Sequence, residues 1–207
     1  MSVVVVGGHS RSVGKTSAVA SLIARLPERH WTAFKITQFG HGFCSANGDP
    51  CDCQTPDHAL AISAEYDPAS GTDSARFLAA GARKSYWVRT RVGHLAEAMP
   101  RIRKEIAEAE NSIFESNSLM QFLQPDLYLA VLDHSAADFK ESALRFLDRA
   151  DAILLRSSSR DLTPQWRGVS PRLIAGKPQF LISPPGEIGE DLVAFVEQKL
   201  RGCGIER

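Results

Sequence analysis

The stretch Gly7-Gly8-His9-Ser10-Arg11-Ser12-Val13-Gly14-Lys15-Thr16-Ser17 places glycines, an ammonium group and hydroxyls in a spacing that suits a polyphosphate. Glycine lets a backbone turn tightly and bring its amide N–H groups close to an anion. A helix opening at Gly14 would add unpaired N–H groups and a favourable dipole. In this reading Gly8, His9, Ser10, Arg11, Ser12, Val13, Gly14, Lys15, Thr16 and Ser17 form the cradle. Lys15 supplies a mobile cation for the β- and γ-phosphates, and the Thr16 hydroxyl is the expected Mg²⁺ ligand. The usual pattern, G-x-x-x-x-G-K-[ST], would put its first glycine at position 9. His9 stands there, and the glycine comes one residue earlier, at Gly8. A glycine-rich turn with a chance Gly-Lys-Thr is the plainer alternative. The context argues against it, because the four valines at 3–6 read as a strand buried on both faces and residues 16–26 read as a helix.

Other residues could complete the chemistry. Glu115 ends an apolar strand at 112–115, where an acid would hold Mg²⁺ through water or position a nucleophile; a solvated strand-end glutamate is the alternative. Lys35, in a second strand at 31–37, or His41, close after it, would address the γ-phosphate or a second substrate. Asp73 opens a helix and serves equally well as a cap, a Mg²⁺ ligand or a substrate contact. Arg76 and Arg83 could meet phosphates, with exposed arginines of no specific role as the plainer reading, and Arg11 has the better claim to the nucleotide or to a partner subunit's nucleotide. Asp138-Phe139-Lys140 could touch the nucleotide or a second substrate, with a helix-start acid and a surface lysine as the plainer reading. Trp87, Phe122 and Phe139 read as core or interface.

A second cluster runs His41, Cys44, Cys51, Cys53, His58. Thiolates and imidazoles together suit tetrahedral Zn²⁺, and three thiols with one histidine would staple a loop too polar to fold alone. An iron–sulfur cluster is the second choice, and unrelated loop thiols with a Cys51/Cys53 redox role the third. Cys203 lies in the tail and stands apart.

The elements that must position these groups alternate. Strands are expected at 31–37, 85–89, 112–115, 127–133, 152–155 and 179–183, besides the first. Helices are expected within 72–82, 93–110 (kinked or broken at Pro100), 137–149 and 189–201. That alternation predicts an α/β fold, a three-layer sandwich around a mostly parallel sheet. Ligands of such sheets bind beyond the C-terminal strand ends, where the glycine loop, Thr37, Glu115 and Asp133 converge.

The longer loop resembles the P-loops of dethiobiotin synthetase and its relatives. The segment 34–89 resembles the molybdopterin-guanine dinucleotide biosynthesis protein B family. Its residues are Lys35-Ile36-Thr37, Gly40-His41-Gly42-Phe43, Gly71-Thr72-Asp73-Ser74 and Ala80-Gly81-Ala82, followed by the strand ending Ile113-Phe114-Glu115. The resemblance covers about the first two-thirds of the chain as scattered motifs. It implies a small P-loop NTPase of a dimerising class, acting with Mg²⁺ as an adaptor for a partner protein in molybdopterin-type cofactor biosynthesis. Two alternatives stay open: an ATP-dependent ligase or kinase like dethiobiotin synthetase, and a metal-carrying module switched by nucleotide. The cysteine segment departs from the family. So does the stretch after residue 155, where Arg156-Ser157-Ser158-Ser159 stands instead of a guanine-reading Asn-Lys-x-Asp, leaving ATP and GTP both open.

Composition fits one domain over 1–207 with a Cys/His-rich insertion at about 38–71. Hydrophobic residues make up 43% and charged residues 23%, and 24 basic side chains balance 24 acidic ones. No basic block points to nucleic acid, and no apolar run approaches a membrane span. With no leader-like start and few cysteines, the expectation is a cytoplasmic protein.

Overall fold

The computed structural model describes residues 1–39, 60–184 and 186–202. A nine-stranded sheet runs through them in the order β3-β4-β2-β5-β1-β6-β7-β8-β9. The strands are β1 (Ser2–Gly8), β2 (Trp31–Phe39), β3 (Leu60–Glu65), β4 (Lys84–Arg91), β5 (Asn111–Glu115), β6 (Leu127–Leu132), β7 (Ala152–Arg156), β8 (Gln179–Ser183) and β9 (Glu187–Ile188). The seven inner strands pair in parallel, and β3 and β9 close the two edges antiparallel.

The valine run explains why β1 lies at the centre. Val4 and Val6 face one layer and Val5 the other, and all three are fully buried. On the first face lie α1 (Lys15–Arg25), α2 (Asp73–Ala79) and α5 (Glu190–Gly202), which contribute Ala18, Val19, Leu22, Ile23, Phe77, Leu192 and Val196. The second face packs α3 (Leu95–Glu108) and the turns after β5 and β6, with Phe34 stacked between Phe114 and Tyr86 and Tyr128 buried beside them. Burial on both faces is what a parallel sheet with crossover helices requires. The expected three-layer α/β sandwich is therefore the observed one.

Several elements differ from expectation. The expected loop 38–71 contains β3 at its far end. That strand has one β-branched residue, Ile62, and its pairing with β4 (Ala61 opposite Arg89) supplies what propensity does not. The helix expected over 137–149 shrinks to α4 (Glu141–Leu144) and a 3₁₀ turn, Leu147–Arg149. The cause is that Asp138 and Lys140 spend their backbone groups on the glycine loop instead. α3 runs on through Pro100, whose exposed ring costs one main-chain bond on the solvent side. β9 is two residues long and carries too little pattern to be read.

Candidate phosphate-binding site

The loop between β1 and α1 is built by backbone conformations that its sequence allows. Gly14 sits at φ 102°, a left-handed geometry that strains any residue with a Cβ, and turns the chain directly into α1. Because α1 starts at Lys15, its first N–H groups have no intrahelical acceptors and open towards the loop. Gly8 lies under the Lys15 side chain, where a Cβ would come within 2.9 Å of Lys15 Cγ and Cδ. Lys15 Nζ folds back to donate to Ser10 O at 2.6 Å.

Neighbouring strands bring the remaining groups. In the sheet register Glu115 stands beside Val6 on one side and Lys35 on the other. Glu115 is almost completely buried at 4% exposure, accepts from Thr16 Oγ1 at 2.7 Å, and pairs with Lys35 Nζ at 2.5 Å. Lys35 Nζ also reaches Asp73 Oδ2 at 2.8 Å and lies 3.3 Å from Thr16 Oγ1. Asp73 is not the helix cap, because Thr72 takes that role by accepting from Ala75 N–H, and this frees the Asp73 carboxylate for the cleft. Arg76, one turn along α2, donates to Ser17 Oγ at 2.8 Å.

These groups line a cleft of about 570 Å³ with Arg11, Ser12, Gly14, Ile36, Thr37, Gln38 and Lys140. Five cations (Arg11, Lys15, Lys35, Arg76 and Lys140) face two carboxylates there, Asp73 and Glu115. Burial, together with Lys140 and Lys35 nearby, pulls Lys15 down to about 8, against the opposing pull of Glu115. Such an excess of positive charge in a half-enclosed cleft is relieved by an anion. A hydroxyl and a carboxylate 2.7 Å apart at its floor, Thr16 and Glu115, form an oxygen donor set of the kind Mg²⁺ takes while keeping several waters. The residues present therefore fit a phosphate chain with Mg²⁺.

The cradle residues divide into two groups. Arg11, Ser12, Gly14, Lys15, Thr16 and Ser17 line the cleft. His9 is fully buried beneath the loop: its N–H donates to Val131 O, and Asp133 N–H donates to Nε2 at 3.0 Å. The ring proton is thus on Nδ1, which donates to Asp138 O at 2.8 Å. Ser10 Oγ donates to Asp138 Oδ2 at 2.9 Å, and Gly8 N–H donates to Asn117 Oδ1. Val13 is buried in the core beside α1.

Two participants carried no reading as site residues, and two more carried it only as the second choice. Asn117 grips Gly8 from both sides, accepting from its N–H at 2.8 Å and donating to its carbonyl at 2.9 Å. Its place after the Glu115 strand was the only signal. Arg156, which replaces the guanine motif, donates to Ser12 O at 3.4 Å and lies 3.6 Å from Asp133. Arg76 and Lys140, for which a phosphate or nucleotide contact was the second choice behind a surface role, both line the cleft. Of the other singled-out residues, Arg83 pairs with Glu110 away from the cleft, Trp87 donates to Thr37 Oγ1, and Phe139 packs on His9. His41, Cys44, Cys51, Cys53, His58 and Cys203 lie outside the described residues. Among the described residues no group of three His, Cys, Asp or Glu side chains is placed to hold a metal ion, and no described helix is long and apolar enough to cross a membrane.

No protein-family model matches the chain, and a comparison with curated proteins gives no match. Among solved structures, the chain is similar to HypB from Helicobacter pylori, crystallised in complex with nickel. The TM-score is 0.52 at 15% identity, covering 96% of this chain and 87% of that one. A looser likeness, with a TM-score of 0.48 at 18% identity, is to the "apo" form of LpxK from Aquifex aeolicus in complex with ATP. It covers 87% of this chain and 53% of that one. At such identities a likeness speaks to the fold alone. Taken with the glycine loop between β1 and α1, it places this chain in the P-loop NTPase fold.

Proposed function

We propose that this protein binds a nucleoside triphosphate with Mg²⁺ and hydrolyses it or transfers its terminal phosphoryl group. The observation that carries this reading is the convergence of Lys15, Lys35, Thr16 and Glu115 on one cleft at the N-terminus of α1. The amides from Arg11 to Thr16 bind the phosphate oxygens, and Lys15 leaves Ser10 O to neutralise the β- and γ-phosphates. Mg²⁺, when bound, would supply positive charge to offset the charge that develops on the phosphate oxygens. Thr16 would hold that ion directly, and Glu115 would do so directly or through water. Lys35 sits between Glu115 and Asp73, so its ammonium is held in place before substrate arrives. His9, Ser10 and Asn117 shape the loop from below without entering the cleft.

The resemblance of Gly71-Thr72-Asp73-Ser74 and Ala80-Gly81-Ala82 to the molybdopterin-guanine dinucleotide family extends the proposal. It points to an adaptor role in cofactor assembly, with a partner protein and a homodimer. The Asp73 carboxylate facing Lys35 supports the relevance of that motif to the cleft.

The test is release of inorganic phosphate from ATP and GTP with and without Mg²⁺. The wild type is expected to turn over at least one of them, slowly and only with Mg²⁺, and Thr16→Ala to lose about a hundredfold or more. Equal turnover by Thr16→Ala would overturn the reading.

A further inference from the structure

Lys140 occupies an unusual position. It follows β6 by eight residues, on a segment that is neither strand nor helix, yet its side chain lines the phosphate cleft beside Lys35 and Glu115. Among the described residues no carboxylate lies within ion-pairing distance of its ammonium group. Burial, reinforced by Arg11 and Lys35, lowers its pKa against the opposing pull of Asp138 and Glu115. A half-buried ammonium beside other cations is unfavourable in the empty cleft and favourable next to an anion.

Its placement is enforced by the residue that breaks the usual loop spacing. Lys140 N–H donates to His9 O at 2.8 Å, and His9 Nδ1 donates to Asp138 O at 2.8 Å. Asp133 N–H donates to His9 Nε2, and Ser10 Oγ to Asp138 Oδ2. The His9 ring packs in one cluster with Phe139, at 4.9 Å, and Trp166, at 5.0 Å, which also touch each other. A glycine at position 9 would keep the main-chain bond to Lys140 but lose the ring bonds to Asp133 and Asp138 and the packing on Phe139 and Trp166. The histidine thus fastens the glycine loop to residues 133–140, and the last of them projects a cation into the cleft.

We infer that Lys140 contacts the terminal phosphate of the bound triphosphate, and that His9 is the positioning residue that delivers it. This inference rests on the proposed triphosphate reading. Lys140 lines the cleft from outside the glycine loop, within electrostatic reach of Arg11, Lys35 and Glu115; with the inner phosphates enclosed by the loop amides, the phosphate left for it is the terminal one. A contact confined to that phosphate discriminates triphosphate from diphosphate.

The experiment measures affinity for ATP, GTP, ADP and GDP by titration calorimetry, and phosphate release, on the full chain. Lys140→Met is expected to weaken triphosphate binding about 10- to 100-fold while diphosphate affinity stays within about twofold. Lys140→Arg is expected to recover most of the loss. His9→Ala should reproduce the selective loss, and the double variant should be no worse than Lys140→Met in its preference for triphosphate. A merely structural role for His9 would weaken both nucleotides alike. If His9→Ala does not fold, Lys140→Met and Lys140→Arg still decide the matter. An unchanged triphosphate-to-diphosphate ratio in Lys140→Met overturns the inference and leaves the triphosphate reading intact. A wild type that retains neither triphosphate overturns both, and is recognised because the failure precedes any substitution.

Discussion

Replacing Glu115 by glutamine separates the role of its charge from the role of its shape. The carboxylate is 4% exposed, 2.5 Å from Lys35 Nζ and 2.7 Å from Thr16 Oγ1. Removing one partner of a buried ion pair costs about 3–5 kcal/mol when the other charge is left alone. Lys35 is not left alone, because Asp73 Oδ2 remains at 2.8 Å, and the glutamine oxygen can still accept a hydrogen bond. The expected loss of stability is therefore smaller, about 1–3 kcal/mol, read as a lower urea midpoint with an unchanged slope. Binding should move the other way. The cleft loses one of its two negative charges, so triphosphate offered without Mg²⁺ should bind as well as to wild type, or better. Mg²⁺-dependent turnover should fall by about a hundredfold or more. The assay is paired: urea denaturation of the free protein, then calorimetry and phosphate release with and without Mg²⁺. A Glu115→Gln variant that turns over normally, or loses Mg²⁺-free binding, would refute the assignment of Glu115 to the metal side of the site.

Three further outcomes are expected. Asn117→Ala leaves Gly8 N–H and C=O without their partner, so it should cost about 2–4 kcal/mol and loosen the glycine loop; unchanged stability with unchanged nucleotide affinity would show that the loop holds its own shape. Burial lowers the pKa of His9, against the backbone bond to Asp138 and the Asp133 and Asp138 carboxylates and together with Lys15. Below pH 6.5 the unfolded chain then binds more protons than the folded one. Stability from this group is complete above pH 6.5 and falls as the pH drops towards the lower folded value, by at most about 1.4 kcal/mol per pH unit. The wild-type slope of urea stability between pH 5 and 7 should therefore exceed that of His9→Gln, and equal slopes would contradict it. The expectation for Cys44, Cys51 and Cys53 is tested by elemental analysis: Cys51→Ser with Cys53→Ser should lower bound metal, and an unchanged metal content would remove the cluster.

The parts of the molecule readable from sequence are those fixed by local chemistry. Four valines in a row demand burial on both faces, and Gly14-Lys15-Thr16 can follow such a strand only through a tight turn into a helix. Glu115 was legible because it ends an apolar strand, and Lys35 because it stands in the neighbouring strand, where the parallel register sets it level with Glu115. What escaped depends on distant partners. β3 exists because β4 offers it an edge, and residues 137–140 leave the helix because His9 and Ser10 compete for their polar groups. Asn117, Arg76, Arg156 and Lys140 carry no pattern of their own. Each gains its role from a loop more than fifty residues away in sequence, as Asn117 does from Gly8.

The central claim is that the loop between β1 and α1 holds a triphosphate through its amides and Lys15. Titration calorimetry of ATP and GTP with Mg²⁺ against wild type and Lys15→Ala, beside urea denaturation of both proteins, addresses it most directly. The account predicts saturable binding of at least one triphosphate to wild type. Lys15→Ala, which removes a cation depressed by burial, should lose that binding while folding at least as stably. Equal affinity of the two proteins, or no binding by a folded wild type, would contradict it.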